Sequence, residues 1–311
     1  MVNQKDVHVL ILMACYNGEK YLEEQLESLA QQTHKNWRLI ASDDGSTDST
    51  IQILKKYQQL WETKKLEIRQ RSKADFVQNF LSMACDPKVY ADYYAFCDQD
   101  DVWLPEKLAV AVQCLAENEK SSIPQLYCGR TAYVRDDLKP YLYSPHFIFP
   151  KSFRNALVQC VAGGNTMVFN QITKNMLEDI GSVPTPSHDW WLYQIVTGAG
   201  GYVYYESKPY ILYRQHPNSL VGGNSSNWSK FQRMLRVFGG KFVFYSDRNI
   251  ECLELGRSFL NQSNAEILDL FKIMRDANLK DRFRLMEICG LYRQTWRGTL
   301  CLIFSAVFKK I

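Results

Sequence analysis

The sequence predicts an α/β fold, a mostly parallel sheet flanked by helices and followed by a mostly helical C-terminal extension. Three observations carry that expectation. Through the first half, short apolar runs alternate with segments whose apolar residues recur at helical spacing, the pattern of strands joined by crossover helices. The apolar runs lead directly into polar loops, Tyr16-Asn17-Gly18, Asp43-Asp44 and Asp98 to Asp101, and in a doubly wound sheet such loops lie at the carboxyl ends of strands, where ligands bind. A Gly/Asn/Ser stretch from Gly222 to Asn227 then marks a boundary before a helical remainder. The expected division is residues 1–222 for the α/β domain and 223–311 for the extension.

Taken in order, Val7–Ala14 is the first expected strand. A helix follows from Glu19 to about Gln32, with Leu22, Leu26 and Leu29 on one face. Trp37–Ser42 is a second strand, leading through Asp43-Asp44-Gly45 into a helix that ends near Leu60. Leu66–Arg69, a helix over Phe76–Ala84, and the strand Tyr93–Cys97 continue the alternation. Pro105-Glu106 has the character of a first helical turn. From about Gln125 the pattern is broken by Pro140, Pro145 and Pro150, with strands expected at Leu126–Val134, Asn165–Phe169, Tyr202–Tyr205 and Tyr210–Arg214 and a helix at His188–Thr197.

Composition narrows the function classes. With 46% hydrophobic and 13% aromatic residues in 311, the chain has ample material for a core. A net charge of +4 is too mild to point to nucleic acid as a partner. The nine cysteines are scattered without a CxxC pair, so reduced thiols in a cytosolic protein are expected. The Val7–Ala14 run is too short for a membrane span and lacks the flanks of a secretory signal.

The richest stretch is Phe96-Cys97-Asp98-Gln99-Asp100-Asp101-Val102-Trp103, which places three carboxylates within four residues at the end of a buried strand. Such carboxylates repel one another and lose hydration, a cost a divalent cation offsets. Hard oxygen ligands suit Mg²⁺ or Mn²⁺, which keep open positions for substrate phosphates. A metal-bound pyrophosphate is therefore the expected ligand. Asp101 also fits a second role, capping the helix that follows.

The segments ILMACYNGEKYLEEQLESLAQQTHKNWRLIASDDGSTDST and FCDQDDVWLPEKL, in that order, resemble the inverting glycosyltransferases of family 2, which have the GT-A fold. The second segment is also similar to bacterial rhamnosyltransferases of surface-polysaccharide synthesis. The resemblance covers roughly residues 7–220 and implies roles residue by residue. Ala14, Tyr16 and Asn17 fall where the family contacts base and ribose, and a tyrosine ring can stack on a base. Asp44 matches the base-reading acid, since a carboxylate accepts the imide N–H of uracil or thymine, whereas Asp43 suits an Asx turn. Asp98 and Asp100 match the DxD, with Asp100 the metal ligand and Asp98 touching ribose or the metal's water. Lys73, Asp75 and Asn79 lie in a donor-contacting segment, and Gly164 in the loop Gly163 to Thr166 that lines the sugar pocket.

Further along, SHDWWLYQI places Asp189 at the catalytic-base position, with His188 and Trp190 as acceptor contacts. His188 stands where many members carry Glu. LYRQHPNS supplies His216 as a third metal ligand beside Asp98 and Asp100, and Arg214 for the pyrophosphate. The implied cofactor is Mn²⁺ or Mg²⁺. The implied donor is dTDP-rhamnose, with a UDP-hexose as alternative, and the implied acceptor a lipid-linked glycan.

Two stretches of the C-terminal third are amphipathic and basic. Trp228, Phe231, Leu235 and Phe238 share a face opposite Lys230, Arg233 and Arg236, and Trp296, Leu300, Ile303, Phe304 and Val307 precede Lys309-Lys310. They predict peripheral contact with the cytoplasmic face of the membrane, or packing on the catalytic domain or a second subunit. Rival classes lack their signatures. A nucleotidyltransferase wants a Gly-rich phosphate loop after the first strand, and a dinucleotide oxidoreductase wants GxGxxG; the chain has Ala14-Cys15-Tyr16-Asn17-Gly18 there. A catalytically degenerate assembly partner is the non-enzyme alternative, against which the retained Asp98, Asp100 and Asp189 argue.

Overall fold

The computed structural model describes residues 7–71, 75–117, 122–215 and 241–311. Lys73, His216 and the amphipathic stretch from Trp228 to Phe238 lie outside the described residues. Two compact units are drawn from interleaved segments: Met1–His146, Ala162–Ser182 and Tyr202–Gly222 form one, and Phe147–Val161, Val183–Gly201 and Gly223–Ile311 the other.

The first unit is built on β1 (Val9–Cys15), β2 (Trp37–Asp43), β3 (Leu66–Gln70) and β4 (Tyr93–Asp98), all mutually parallel, with α1 (Leu22–Ala30), α2 (Thr50–Leu60) and α3 (Phe76–Ala84) as crossovers. These match the expected elements to within a few residues, because β1 is buried on both faces from Val9 to Met13 and can only be an inner strand. Leu22, Leu26 and Leu29 of α1 are fully buried, each contributing on the order of 1.5–3 kcal/mol of apolar burial. The complete sheet has seven strands in the order β10-β6-β9-β4-β1-β2-β3. β6 (Gln125–Gly129) and β10 (Tyr202–Glu206) pair in parallel, and β9 (Val168–Asn170) runs antiparallel between β4 and β6.

A second sheet of four strands, β5-β11-β7-β8, collects β5 (Val102–Trp103), β7 (Ala132–Val134), β8 (Pro140–Tyr143) and β11 (Ile211–Arg214). Two expectations are corrected by the strand boundaries. The strand expected over Leu126–Val134 is split between the sheets: after Gly129 the Arg130 N–H still donates to the Glu206 carbonyl, but the Thr131 N–H turns to the Ser144 hydroxyl. Likewise Asn165–Phe169 is not one strand. A 3₁₀ turn at Gly164–Thr166 precedes β9, and Asn170 then caps α6 (Gln171–Ile180) by accepting from the Thr173 N–H at 3.0 Å. α4 (Lys107–Ala116) follows Pro105-Glu106 as expected.

The second unit is helical. It contains a short α5 (Phe153–Ala156), α7 (His188–Gly198), α8 (Lys241–Leu255), α9 (Gln262–Asp276), α10 (Leu279–Cys289) and α11 (Trp296–Val307). Asparagines cap α9 and α10 and Thr295 caps α11, each side chain accepting from a first-turn N–H. Among the described residues no helix is long and apolar enough to cross a membrane.

Candidate active site

The parallel register brings three strand ends together. Ala14 of β1 lies opposite Ser42 of β2 on one side and Asp98 of β4 on the other, and Cys15 lies opposite Asp43. The loop after β1 is therefore between the two acidic loops. Its shape is fixed by side chains from both neighbours. The Gln99 amide accepts from the Tyr16 N–H and donates to the Tyr16 carbonyl, each at 2.9 Å. The Asn17 N–H donates to the Ser46 hydroxyl at 2.8 Å, while the Asn17 side chain accepts from the Thr47 N–H at 2.9 Å. Asn17 holds a φ of 46°, a left-handed conformation that Asn tolerates better than most residues. A Cβ at Gly18 would stand 2.3 Å from the Gln99 side chain, so a larger residue there would displace the amide that holds Tyr16.

Asp43 and Asp44 divide their work. Asp43 accepts from the Gly45 and Ser46 N–H groups at 3.0 Å each and from the Ser46 hydroxyl, which is the turn-holding role expected of it. Asp44 is buried, and its N–H donates to the Cys15 carbonyl at 2.9 Å, beside the half-exposed ring of Tyr16. Asn79 departs from its expected place. It is buried, and its amide donates to the Ser42 carbonyl at 2.9 Å, so it pins the end of β2. Asp75 caps α3.

Beyond β4 the acidic loop rests on a buried polar base. Asp98 and Asp100 are partly exposed, whereas Asp101 is fully buried. The Asp101 carboxylate accepts from the Asn165 amide and from the Arg214 N–H, the latter at 3.2 Å. Burial, then the charges of Asp100 and Asp98, push its carboxyl well above the usual range, against the pull of those two donors. Lys107, at the start of α4, is also fully buried, with its ammonium 3.4 Å from the centre of the Trp103 ring. Burial lowers its pKa to about 7, opposed by the charges of Cys97 and Asp101.

Arg214 sits differently from the expected pyrophosphate contact. Its guanidinium is 1% exposed, pairs with Glu24 of α1, donates to the Asp100 carbonyl at 3.1 Å and lies 4.4 Å from the Tyr21 ring centre. The antiparallel pairing of β11 with β5 delivers it there, with Leu212 opposite Val102. Arg214 thus holds the backbone of the acidic loop. Gly164 is buried in the 3₁₀ turn, where its neighbour Asn165 reaches Asp101.

Among the described residues, no three His, Cys, Asp or Glu side chains are grouped to enclose a metal. The arrangement at β4 is open instead: two partly exposed carboxylates, Asp98 and Asp100, beside a third that is buried and already hydrogen-bonded. One or two carboxylates completed by substrate phosphates is how Mg²⁺ is commonly held, so the donor set fits a hard divalent cation.

In the second unit, Asp189 lies in the first turn of α7. One oxygen, Oδ1, accepts from the Ser187 hydroxyl and from the Trp190 N–H, the latter at 2.7 Å; among the described residues Oδ2 accepts no hydrogen bond. The carboxylate is oriented by one oxygen and keeps the other available. Its neighbours are not surface groups. Trp190 is buried with its indole N–H donating to the Ala156 carbonyl at 2.6 Å, and its ring meets Tyr245 edge-on. His188 is buried as well. Both side chains are thus packed against the body of the second unit around the start of α7.

Burial lowers the His188 pKa to about 4, with Asp189 opposing. The folded pKa is below the unfolded value of about 6.5, so the unfolded chain binds the extra proton between these values and stability rises with pH there. His188 should contribute up to about 3 kcal/mol that is present above pH 6.5 and lost as pH falls toward 4. Urea denaturation at pH 4.5 and pH 7 should show a smaller pH dependence in His188→Gln than in the parent. Equal dependence in both would mean that folding does not change this proton affinity.

Comparison with known proteins places this arrangement. The sequence matches glycosyl transferase family 2 over residues 10–180. The dTDP-rhamnosyl transferase RfbG of Shigella flexneri is 29% identical over 239 residues, 71% of this chain and 78% of that protein. WfgD of Escherichia coli, a UDP-Glc:alpha-D-GlcNAc-diphosphoundecaprenol beta-1,3-glucosyltransferase, is 28% identical over 173 residues, 55% of this chain and 63% of that protein. The structure of S. aureus TarS 1–349 in complex with UDP aligns with a TM-score of 0.57 at 15% identity, covering 97% of this chain and 88% of that one. That likeness shows the GT-A-like fold. Since the family match runs from β1 through α6 and spans more than half the sequence, the chain belongs to glycosyl transferase family 2.

Proposed function

We propose that this glycosyltransferase moves L-rhamnose from dTDP-rhamnose, with inversion, onto a hydroxyl of a lipid-linked glycan in bacterial surface-polysaccharide synthesis. The observation that carries it is the convergence of Tyr16, Asp44 and the Asp98–Asp101 loop at adjoining strand ends. In this reading Tyr16 stacks on the base, buried Asp44 accepts its imide N–H, and Asp98 contacts the ribose. Asp100, helped by Asp98, holds Mg²⁺ or Mn²⁺ against the donor's diphosphate. The cation supplies charge neutralisation at the departing diphosphate. Arg214, Asn165 and Asp101 keep the loop in the geometry this requires.

Inversion needs the acceptor hydroxyl to lose its proton as it attacks the anomeric carbon opposite the leaving group. Asp189 is our choice for that base, supported by its fixed Oδ1 and uncommitted Oδ2. The rhamnosyl choice is supported by the likeness to RfbG, and the lipid-linked acceptor by the likeness to WfgD. A UDP-hexose donor is the second reading, because a carboxylate at Asp44 reads uracil and thymine alike.

Peripheral association with the cytoplasmic face of the membrane belongs to the same proposal. It is supported by Trp296, Leu300, Phe304 and Phe308, which are 65%, 44%, 58% and 58% exposed beside Lys309. Such an apolar stripe with basic residues at its end suits an anionic lipid surface. The test is turnover of dTDP-rhamnose, UDP-glucose and UDP-GlcNAc with a lipid-linked saccharide acceptor and Mn²⁺. Rhamnosyl transfer alone, with an inverted anomeric centre, is expected. Transfer from a UDP-hexose alone would replace the donor, and retention of configuration would remove the role of Asp189.

A further inference from the structure

The second unit contains a cavity of about 590 Å³ lined by Phe149, Pro150, Tyr292, Arg293, Trp296 and Leu300. Its volume falls in the range of roughly 300–1,000 Å³ usual for small-molecule sites. The walls are fixed by hydrogen bonds. The Tyr292 hydroxyl donates to the Pro150 carbonyl at 2.7 Å and meets the Ser152 hydroxyl at 2.8 Å. The Gln294 amide donates to the same Pro150 carbonyl at 2.9 Å. Thr299 grips the backbone of Arg293, accepting from its N–H at 3.0 Å and donating to its carbonyl at 3.2 Å.

Arg293 is the one charged side chain in this apolar lining. Among the described residues its guanidinium has neither a carboxylate partner nor a hydrogen bond. It lies against the first turn of α11, with Nε 3.5 Å from where a Cβ on Gly298 would stand. That turn carries the positive end of the helix dipole. Two positive contributions are therefore held together in a largely apolar place, and burial already works against the guanidinium's charge. An anion is the missing complement. From the cavity an exposed apolar row, Trp296, Leu300 and Phe304, runs along α11 at intervals of four residues.

We propose that this cavity binds the phosphate end of a long-chain lipid phosphate, with Arg293 pairing with the phosphate and Trp296, Leu300 and Phe149 packing the first part of the hydrocarbon chain. The inference rests on the proposed lipid-linked acceptor and gives its lipid phosphate a seat within the second unit. An apolar chain alone would not require the guanidinium, and free phosphate would not require the aromatic walls.

The experiment is calorimetric titration of the full chain with farnesyl phosphate below its micelle-forming concentration, with farnesol, and with inorganic phosphate. dTDP with Mn²⁺ is titrated in parallel. Farnesyl phosphate should bind saturably and about 10- to 100-fold tighter than farnesol, the range expected of a charge-assisted hydrogen-bonded pair. Arg293→Gln should erase that preference while leaving the melting temperature equal or higher, because it removes an uncompensated cation. Trp296→Ala should weaken farnesyl phosphate and farnesol alike.

A parent protein that binds both lipids equally would overturn the proposal, as would an Arg293→Gln variant that keeps the preference. Binding to phosphatidylglycerol vesicles without binding to farnesyl phosphate would also overturn it and leave only a bilayer contact. Nucleotide binding separates the two claims. If dTDP binds and farnesyl phosphate does not, the cavity assignment falls alone; if farnesyl phosphate binds and no nucleotide does, the transferase assignment falls and the cavity stands.

Discussion

Asp100→Asn should lose divalent-dependent nucleotide binding altogether and reduce sugar transfer by about 10²- to 10³-fold, the usual cost of removing one electrostatic contact to a developing charge. The substitution keeps size and hydrogen-bonding capacity but removes the charge that a hard cation needs. Because Asp100 is partly exposed and its backbone carbonyl still accepts from Arg214, the fold should be unaffected. Calorimetric titration of dTDP with and without Mn²⁺ checks it. A variant whose nucleotide affinity still rises with Mn²⁺ would take the metal away from this loop.

Asp189→Asn should divide the kinetics the other way. Donor affinity should remain at the parent value, while kcat falls by about 10²- to 10⁴-fold, the range of a lost general base. The substituted amide retains an oxygen able to accept from the Ser187 hydroxyl and the Trp190 N–H, the two donors that now hold the carboxylate, so α7 should start unchanged. A fall in kcat and kcat/KM together, without loss of donor binding, marks a contact used only in the transition state. Near-parent turnover would assign the deprotonation elsewhere.

The parallel half of the sheet was legible because its signals are local. β1 is buried on both faces and reads as a continuous apolar run, and α1 shows its Leu22, Leu26 and Leu29 face directly. The strand-end loops could be placed together from topology alone, and Ala14, Asp43 and Asp98 are indeed at adjoining register positions. What eluded sequence reasoning depends on pairing between distant residues. β5 is two residues long and exists because β11, far along the chain, pairs with it. The split of Leu126–Val134 is set by Glu206 and Ser144, which no window around Gly129 contains.

The same distinction separates the site residues. Asp98 and Asp100 stand out because acids directly after a strand carry a chemical meaning on their own, whereas Asp189 is singled out only by the family resemblance. Asn165, which reaches Asp101, shows in the sequence only as a polar residue in a Gly-rich loop, and nothing in the sequence singles out the buried Lys107. Arg214 was noticed for its charge, but its direction toward Glu24 and the Asp100 carbonyl follows from the second sheet. Trp190, His188 and Asn79 illustrate the converse. They sit in segments that matter, yet their side chains are buried and complete the packing or hydrogen bonding of those segments.

The most direct measurement is the melting temperature with dTDP, UDP and GDP, each with and without Mn²⁺. A ligand at about 100 times its Kd adds roughly 2.7 kcal/mol, a rise of about 4 °C for a chain of this size. The account predicts such a rise with dTDP that requires Mn²⁺, a smaller one or an equal one with UDP, and none with GDP. No rise with any nucleotide, with or without the cation, would contradict a nucleoside-diphosphate site at the ends of β1, β2 and β4.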